Sequence, residues 1–139
     1  MIDRNIEKVT EDERVSIFNG GNNRDYDMIF CLWFSDFPDP AGNLNSLYPS
    51  TAGGEGGSNA AVYQDEEVDT WLSQELASSN PDERTQLMQQ ILDKVMDDVP
   101  YLVMDYPKAI MATNSKVQNP QFSAEYQFNL FFKDFSLAK

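Results

Sequence analysis

The sequence predicts an α/β domain, on three observations. Residues 26–34 form a continuous apolar and aromatic run broken only by Asp27, which suits a strand buried on both faces. Two segments with helical apolar spacing follow it, and two short apolar runs follow those. Buried strands alternating with amphipathic helices describe a mixed sheet flanked by helices. The 139 residues suffice for one domain but not for two full ones.

Taken in order, residues 3–18 are polar with scattered apolar points at Ile6, Val9, Val15, Ile17 and Phe18. A short strand followed by a helical turn is the expectation there. Gly20, Gly21, Asn22 and Asn23 form a turn, because Gly and Asn tolerate positive φ. After the apolar run comes Ser35-Asp36-Phe37-Pro38-Asp39-Pro40, a loop whose two prolines fix φ and bias their predecessors away from helix. Residues 41–60, with four glycines among positions 53–57, read as a long irregular stretch that is mobile or closely approached.

The first helix spans about residues 65–78, with Val68, Trp71, Leu72 and Leu76 on one face. The second has the clearest start in the chain. Asn80 caps, Pro81 fits the first helical position and Glu83 completes a capping box. Leu87, Met88, Ile91, Leu92, Val95, Met96 and Val99 then recur at core spacing, and Pro100 stops the helix. Residues 101–104 and 109–112 read as strands. The tail carries Phe122, Tyr126, Phe128, Phe131, Phe132 and Phe135, which should be docked on something.

Composition removes several function classes. Hydrophobic residues make up 41% and aromatics 12%, enough to form a core. Ten basic against 23 acidic residues give a net charge of −13. That charge repels phosphate backbones and anionic lipid surfaces, so no nucleic-acid partner is expected. With one cysteine and no histidine, no intramolecular disulfide, Cys/His zinc cluster or histidine-dependent triad is possible. Cys31 lies within the apolar run and reads as a small buried hydrophobe. The carboxylate pairs Asp36/Asp39 and Asp97/Asp98 have no spacing that gathers them around a pocket, so no catalytic residue is assigned. The calcium-loop pattern is missing, and neither metal nor cofactor is expected. No apolar run approaches a membrane span, and residues 1–30 lack the signature of a signal peptide.

An ordered set of residues resembles a known family. Asp25-Tyr26-Asp27-Met28 leads into Trp33-Phe34-Ser35-Asp36-Phe37-Pro38-Asp39-Pro40; Asn43-Leu44, Gly57-Ser58-Asn59, Tyr63 and Val68-Asp69 follow, then Arg84, Val99-Pro100-Tyr101 and Lys116-Val117. This succession, over roughly residues 20–120, is similar to the C-terminal region of family 5 extracellular solute-binding proteins. These include oligopeptide-, dipeptide- and nickel-binding proteins of ABC importers. The resemblance implies part of a two-lobed, type II periplasmic-binding-protein-like fold, and a chain that is a C-terminal fragment. Residues 1 to about 104 would belong to the C-terminal lobe. Residues 104–106 would cross the hinge, and 105–139 would carry the crossover and a tail returning to the N-terminal lobe. In isolation that tail would pack back on its own helices or support a homodimer.

The same resemblance implies a site. In peptide-binding relatives an Asp three residues after a strand-end Trp holds the peptide α-amino group, and Trp33 and Asp36 have that spacing. A carboxylate in a water-poor cleft bonds an ammonium strongly, and Trp33 offers a flat apolar wall that also suits a cation. Backbone groups of Cys31 and Phe34 would bond the peptide as an added strand. Other readings stand beside these. Asp36 suits a turn residue capping its own backbone, Trp33 suits a core filler, and Asp39 reads as structural. Asn59 and Tyr63 either border the cleft or belong to a surface loop.

The implied function is capture of short peptides outside the membrane and delivery to ABC permease subunits. The implied location is periplasmic, or a cell-surface lipoprotein held by an anchor preceding this chain. The alternatives are a relative that binds nickel or a sugar, and a small acidic interaction domain complete in itself.

Overall fold

The computed structural model describes residues 6–18, 26–35, 37–106, 108, 110, 112–118, 120 and 135–137. Its elements are α1 (Glu11–Phe18), α2 (Pro40–Leu47), a 3-10 turn (Ser50–Gly53), α3 (Glu66–Ala77), α4 (Pro81–Asp98) and two short strands, β1 (Val117–Gln118) and β2 (Ser136–Leu137).

Helix α4 starts as the sequence predicts, with one refinement. The Asn80 side chain accepts from Asp82 N–H at 3.0 Å, and Pro81 occupies the first turn. Glu83 reaches back through an intermediary. The Ser78 hydroxyl donates to Glu83 at 2.6 Å and accepts from Asn80 N–H at 3.1 Å. At the other end Val99 adopts a left-handed conformation and its N–H returns to Val95 O, with Pro100 next in the chain. Helix α3 is capped by Asp65, which accepts from Glu67 and Val68 N–H. Helix α1 begins with a full capping box between Thr10 and Glu13, and none of its residues is buried.

The core lies where α2, α3 and α4 meet. Leu44, Val68, Leu72, Ile91 and Val95 form it, flanked by Tyr48, Tyr63, Trp71 and Met88. The α3–α4 pair is the principal contact and α2 lies across it. Two helical expectations are corrected. Leu76 is 66% exposed, and the inner face of α3 is completed by Glu75, which is fully buried. The long α4 stripe is covered on one half only. Leu87, Ile91 and Val95 are buried, while Leu92, Met96 and Val99 face water. Helix α2 was not anticipated; it lies inside the stretch expected to be irregular.

The expected strands at 26–34 and 101–104 do not form. No residue in either segment joins a ladder among the described residues, where β1 and β2 form the one sheet. That sheet is antiparallel and pairs Val117 with Leu137 and Gln118 with Ser136. The physical reason is that a strand, unlike a helix, needs a second backbone to receive its N–H and C=O groups. Burial on both faces fails with it. Met28 is 90% exposed, and Phe30 and Leu32 are also exposed, while Ile29 and Cys31 between them are half covered. The α/β expectation therefore reduces to a helix-rich arrangement with a small two-stranded sheet, compatible with part of a binding-protein fold. The run at 109–112 is described only at Ile110 and Ala112, and the tail aromatics at 122–132 lie outside the described residues.

Substitutions along α4 should separate its covered and open halves. Ile91→Ala is expected to cost about 2–5 kcal/mol in chemical denaturation, as for a filled core position. Met96→Ala should change stability by no more than about 0.5 kcal/mol, as for an exposed site.

Candidate functional site

The loop that carries the predicted site is built onto the first turn of α2. Asp39 sits in an extended conformation, φ −130° and ψ 131°, with Pro40 beginning the helix behind it. Its side-chain Oδ1 accepts from Ala41 N–H at 2.9 Å. Two donors converge on the Phe37 carbonyl: the Ser35 hydroxyl at 2.7 Å and the Asp39 N–H at 2.9 Å. Gly42, buried in that first turn, lets the loop lie directly on the helix. A Cβ there would meet Ser35 Oγ at 2.5 Å and the Phe37 ring at 3.1 Å.

Asp39 is also tied to the helices. Arg84 Nη2 on α4 reaches both Asp39 oxygens, at 3.2 and 3.1 Å. Its Nε donates to Glu75 Oε1 at 2.7 Å, and Glu75 Oε2 accepts from Asn45 Nδ2 at 3.2 Å. The Asn45 amide also donates to Ala41 O within α2. One guanidinium thus joins the cap of α2, the buried carboxylate of α3 and the first turns of α4. The Ala41 N–H, then Arg84, hold the Asp39 carboxyl below the usual carboxylate range. Glu75, followed by Asp39, raises Arg84 above its ordinary value.

The predicted site residues are distributed unevenly. Trp33 is 36% exposed. Phe34 is half-buried. Cys31 is half-buried as well. Burial pushes its thiol up, opposed by the nearby Arg14 guanidinium, so the residue stays an uncharged thiol at neutral pH. The start of the segment is fastened by Tyr26, whose hydroxyl donates to Ala60 O at 3.1 Å. Asp36 lies outside the described residues, between two neighbours that are fastened.

Asn59 and Tyr63 belong to a different cluster. Asn59 is fully buried and staples its loop together. Its amide donates to Pro49 O at 3.1 Å and Tyr63 O at 2.8 Å, and its oxygen accepts from Tyr63 N–H at 3.1 Å. The Tyr101 hydroxyl accepts from Ala61 N–H and has Leu47 O and Asn59 Oδ1 within donating distance. Tyr48 packs edge-on against Tyr63 and Tyr101, with ring centroids 6.3 and 5.7 Å apart. The Tyr63 hydroxyl donates to Asp98 at 2.6 Å, and burial followed by that carboxylate raises its pKa. Lys94 bridges Asp98 at 2.6 Å and Asp65 at 3.2 Å. Asn59 is thus a structural staple, and Asp98 is engaged in an ion pair.

Sequence reasoning missed Glu75 and Asn45 and gave Arg84 no role. A faint signal existed: Glu75 follows Val68 by seven positions and falls on the stripe that Val68 and Leu72 define.

Among known proteins, the chain is similar to the probable D,D-dipeptide-binding periplasmic protein of Escherichia coli (strain K12). The two are 31% identical over 113 residues, which cover 78% of this chain and 22% of that protein. The chain therefore spans 22% of the length of the curated relative it matches. No family model matches and no solved structure matches.

Two outcomes follow from the ion pairs. Arg84→Leu leaves Glu75 buried without a cation and should cost about 3 kcal/mol in urea denaturation. That is the low end for breaking a buried pair, because the Arg84 side chain is itself 30% exposed. Separately, Asp39, Asp65 and Asp98 all have folded pKa values below the ordinary one. Their contribution is fully present above the unfolded carboxyl value of about 3.9 and is lost as pH falls through the folded values. The thermal midpoint should hold steady from about pH 7 to pH 5 and drop below about pH 4.

Proposed function

We propose that the chain is part of the substrate-binding component of an ABC-type importer, of the family 5 extracellular solute-binding type, and that the whole protein captures short peptides outside the membrane. The similarity to a D,D-dipeptide-binding periplasmic protein carries this reading. The ordered residues from Asp25 to Val117 are consistent with it. Captured peptide passes to permease subunits, and the location is periplasmic or surface-anchored.

In this reading residues 1 to about 104 belong to one lobe, and 105–139 carry the hinge crossover and the return to the other. The Asp36 carboxylate takes the peptide α-ammonium in a charge-assisted hydrogen bond. Trp33 forms the wall beside it, and the peptide lies along Cys31 and Phe34 in the manner of an added strand. The placement of Trp33 supports this role, since a fully buried Trp would have no face to offer. The segment's backbone supports it too, because the Cys31 N–H and C=O make no hydrogen bond among the described residues. Closure of two lobes around the ligand removes water from the cleft and strengthens the Asp36 contact, and the hinge motion subtracts from the affinity.

The test is calorimetric titration of the full gene product with a pool of short peptides, beginning with D-alanyl-D-alanine. Binding is expected, and Asp36→Ala should lose about 2–4 kcal/mol, as for one partner of a desolvated charge pair. A protein that takes no peptide refutes the ligand class. Equal binding by the variant refutes the role of Asp36 while leaving the ligand class standing.

A further inference from the structure

Capping a helix needs one acceptor oxygen and no charge. Asn80 caps α4 with a neutral amide. Asp39 caps α2 with Oδ1 alone, and Oδ2 takes no part in capping. Oδ2 instead receives Arg84 Nη2 at 3.1 Å, 45 residues away in the chain. The backbone of the same residue holds the loop, because the Asp39 N–H bonds the Phe37 carbonyl that Ser35 also grips. A displacement of Asp39 is therefore passed to the residues on either side of position 36. Gly42 supports the loop from beneath, where a Cβ would meet Ser35 Oγ at 2.5 Å and the Phe37 ring at 3.1 Å and force the loop or those side chains to shift. Arg84 is itself immobilised by Glu75, which is fully buried.

We infer that the Asp39–Arg84 ion pair is a clamp that sets the pose of the ligand-facing loop, with Asp39 and Gly42 as positioning residues that never touch the ligand. The inference rests on the peptide-binding reading and extends it, by fixing that loop to the α2–α3–α4 core. A rigid support of this kind matters because a carboxylate displaced by about 1 Å from an ammonium loses most of the benefit of its alignment.

The test uses the full gene product carrying Trp71→Phe, which makes Trp33 the reporter, since the chain described here contains only Trp33 and Trp71. Any tryptophan elsewhere in the gene product is replaced by Phe in the same way. Into that background goes Asp39→Ser, a good capping residue too short to reach Arg84. If Asp39 only caps, serine replaces it and nothing changes at Trp33. If Asp39 clamps, acrylamide quenching of Trp33 rises and the near-ultraviolet circular dichroism shifts, with helix content unchanged. D-alanyl-D-alanine should then bind roughly tenfold more weakly at unchanged stoichiometry. Gly42→Ala, which wedges the loop from beneath, should move the same signals in the same direction. Quenching and affinity matching the parent in both variants would overturn the clamp. So would a loss confined to stoichiometry at constant affinity, which marks partial unfolding. Should the parent bind no peptide, the ligand reading falls, and the quenching comparison still decides whether the clamp exists.

Discussion

The arrangement depends on a buried carboxylate. Glu75 sits on the inner face of α3 with no exposure to water, where an unpaired negative charge would be prohibitive. Arg84 and Asn45 make it tolerable, one from α4 and one from α2. This requirement does more than neutralise a charge. Apolar faces alone permit two helices to slide by a turn, since one aliphatic side chain packs in place of another at modest cost. A carboxylate that must meet one guanidinium and one amide permits no such slide. The relative register of α2, α3 and α4 follows from it, and so does the position of the Asp39 cap that begins α2.

Scarcity of positive charge sharpens the point. The chain has 10 basic residues against 23 acidic ones, so most carboxylates have no cation available. Arg84 and Lys94 each hold two. Arg84 joins Asp39 to Glu75, and Lys94 joins Asp65 to Asp98. In both cases one carboxylate is a helix cap and the other belongs to a neighbouring helix or to the helix's own far end. The caps and the ion pairs are therefore the same atoms in two roles. Loss of either cation would loosen a helix start as well as a packing contact. Among the described residues, acids such as Asp82, Asp93, Asp97 and Asp105 lie on exposed faces, where separation and solvent screening keep their repulsion small.

What could be read from the sequence divides along a physical line. Helices α3 and α4 were legible to within a residue or two. Their hydrogen bonds close within the segment, and Asp65, Asn80, Pro81 and Pro100 mark their ends locally. The segments 26–34 and 101–104 were read as strands from composition that does favour strands, yet neither joins a ladder among the described residues. A strand is completed by another backbone, and no local pattern states whether that backbone is present. Helix α2 was hidden because Gly42, Asn43 and Asn45 are weak helix formers. The cap at Asp39, the proline behind it and packing of Leu44 outweigh them. The structural role of Asp39 was legible from its place between two prolines. Its partner was not, because a contact across 45 residues leaves no trace in spacing.

The same line explains how the candidate site hangs together without a ladder. Residues 26–34 join no ladder among the described residues, and a segment without a ladder would ordinarily wander. Here its two ends are fastened to pieces that fold by local rules. Tyr26 is bonded to Ala60, in the loop that buried Asn59 staples, and Ser35 lies on the first turn of α2. The alternation between them follows, with Ile29 and Cys31 turned toward the protein and Met28, Phe30 and Leu32 turned to water. In the middle of that segment, the Cys31 N–H and C=O make no hydrogen bond among the described residues. Under the proposed peptide-binding reading, this is where a second extended chain would bond through its main chain, largely independent of its side chains.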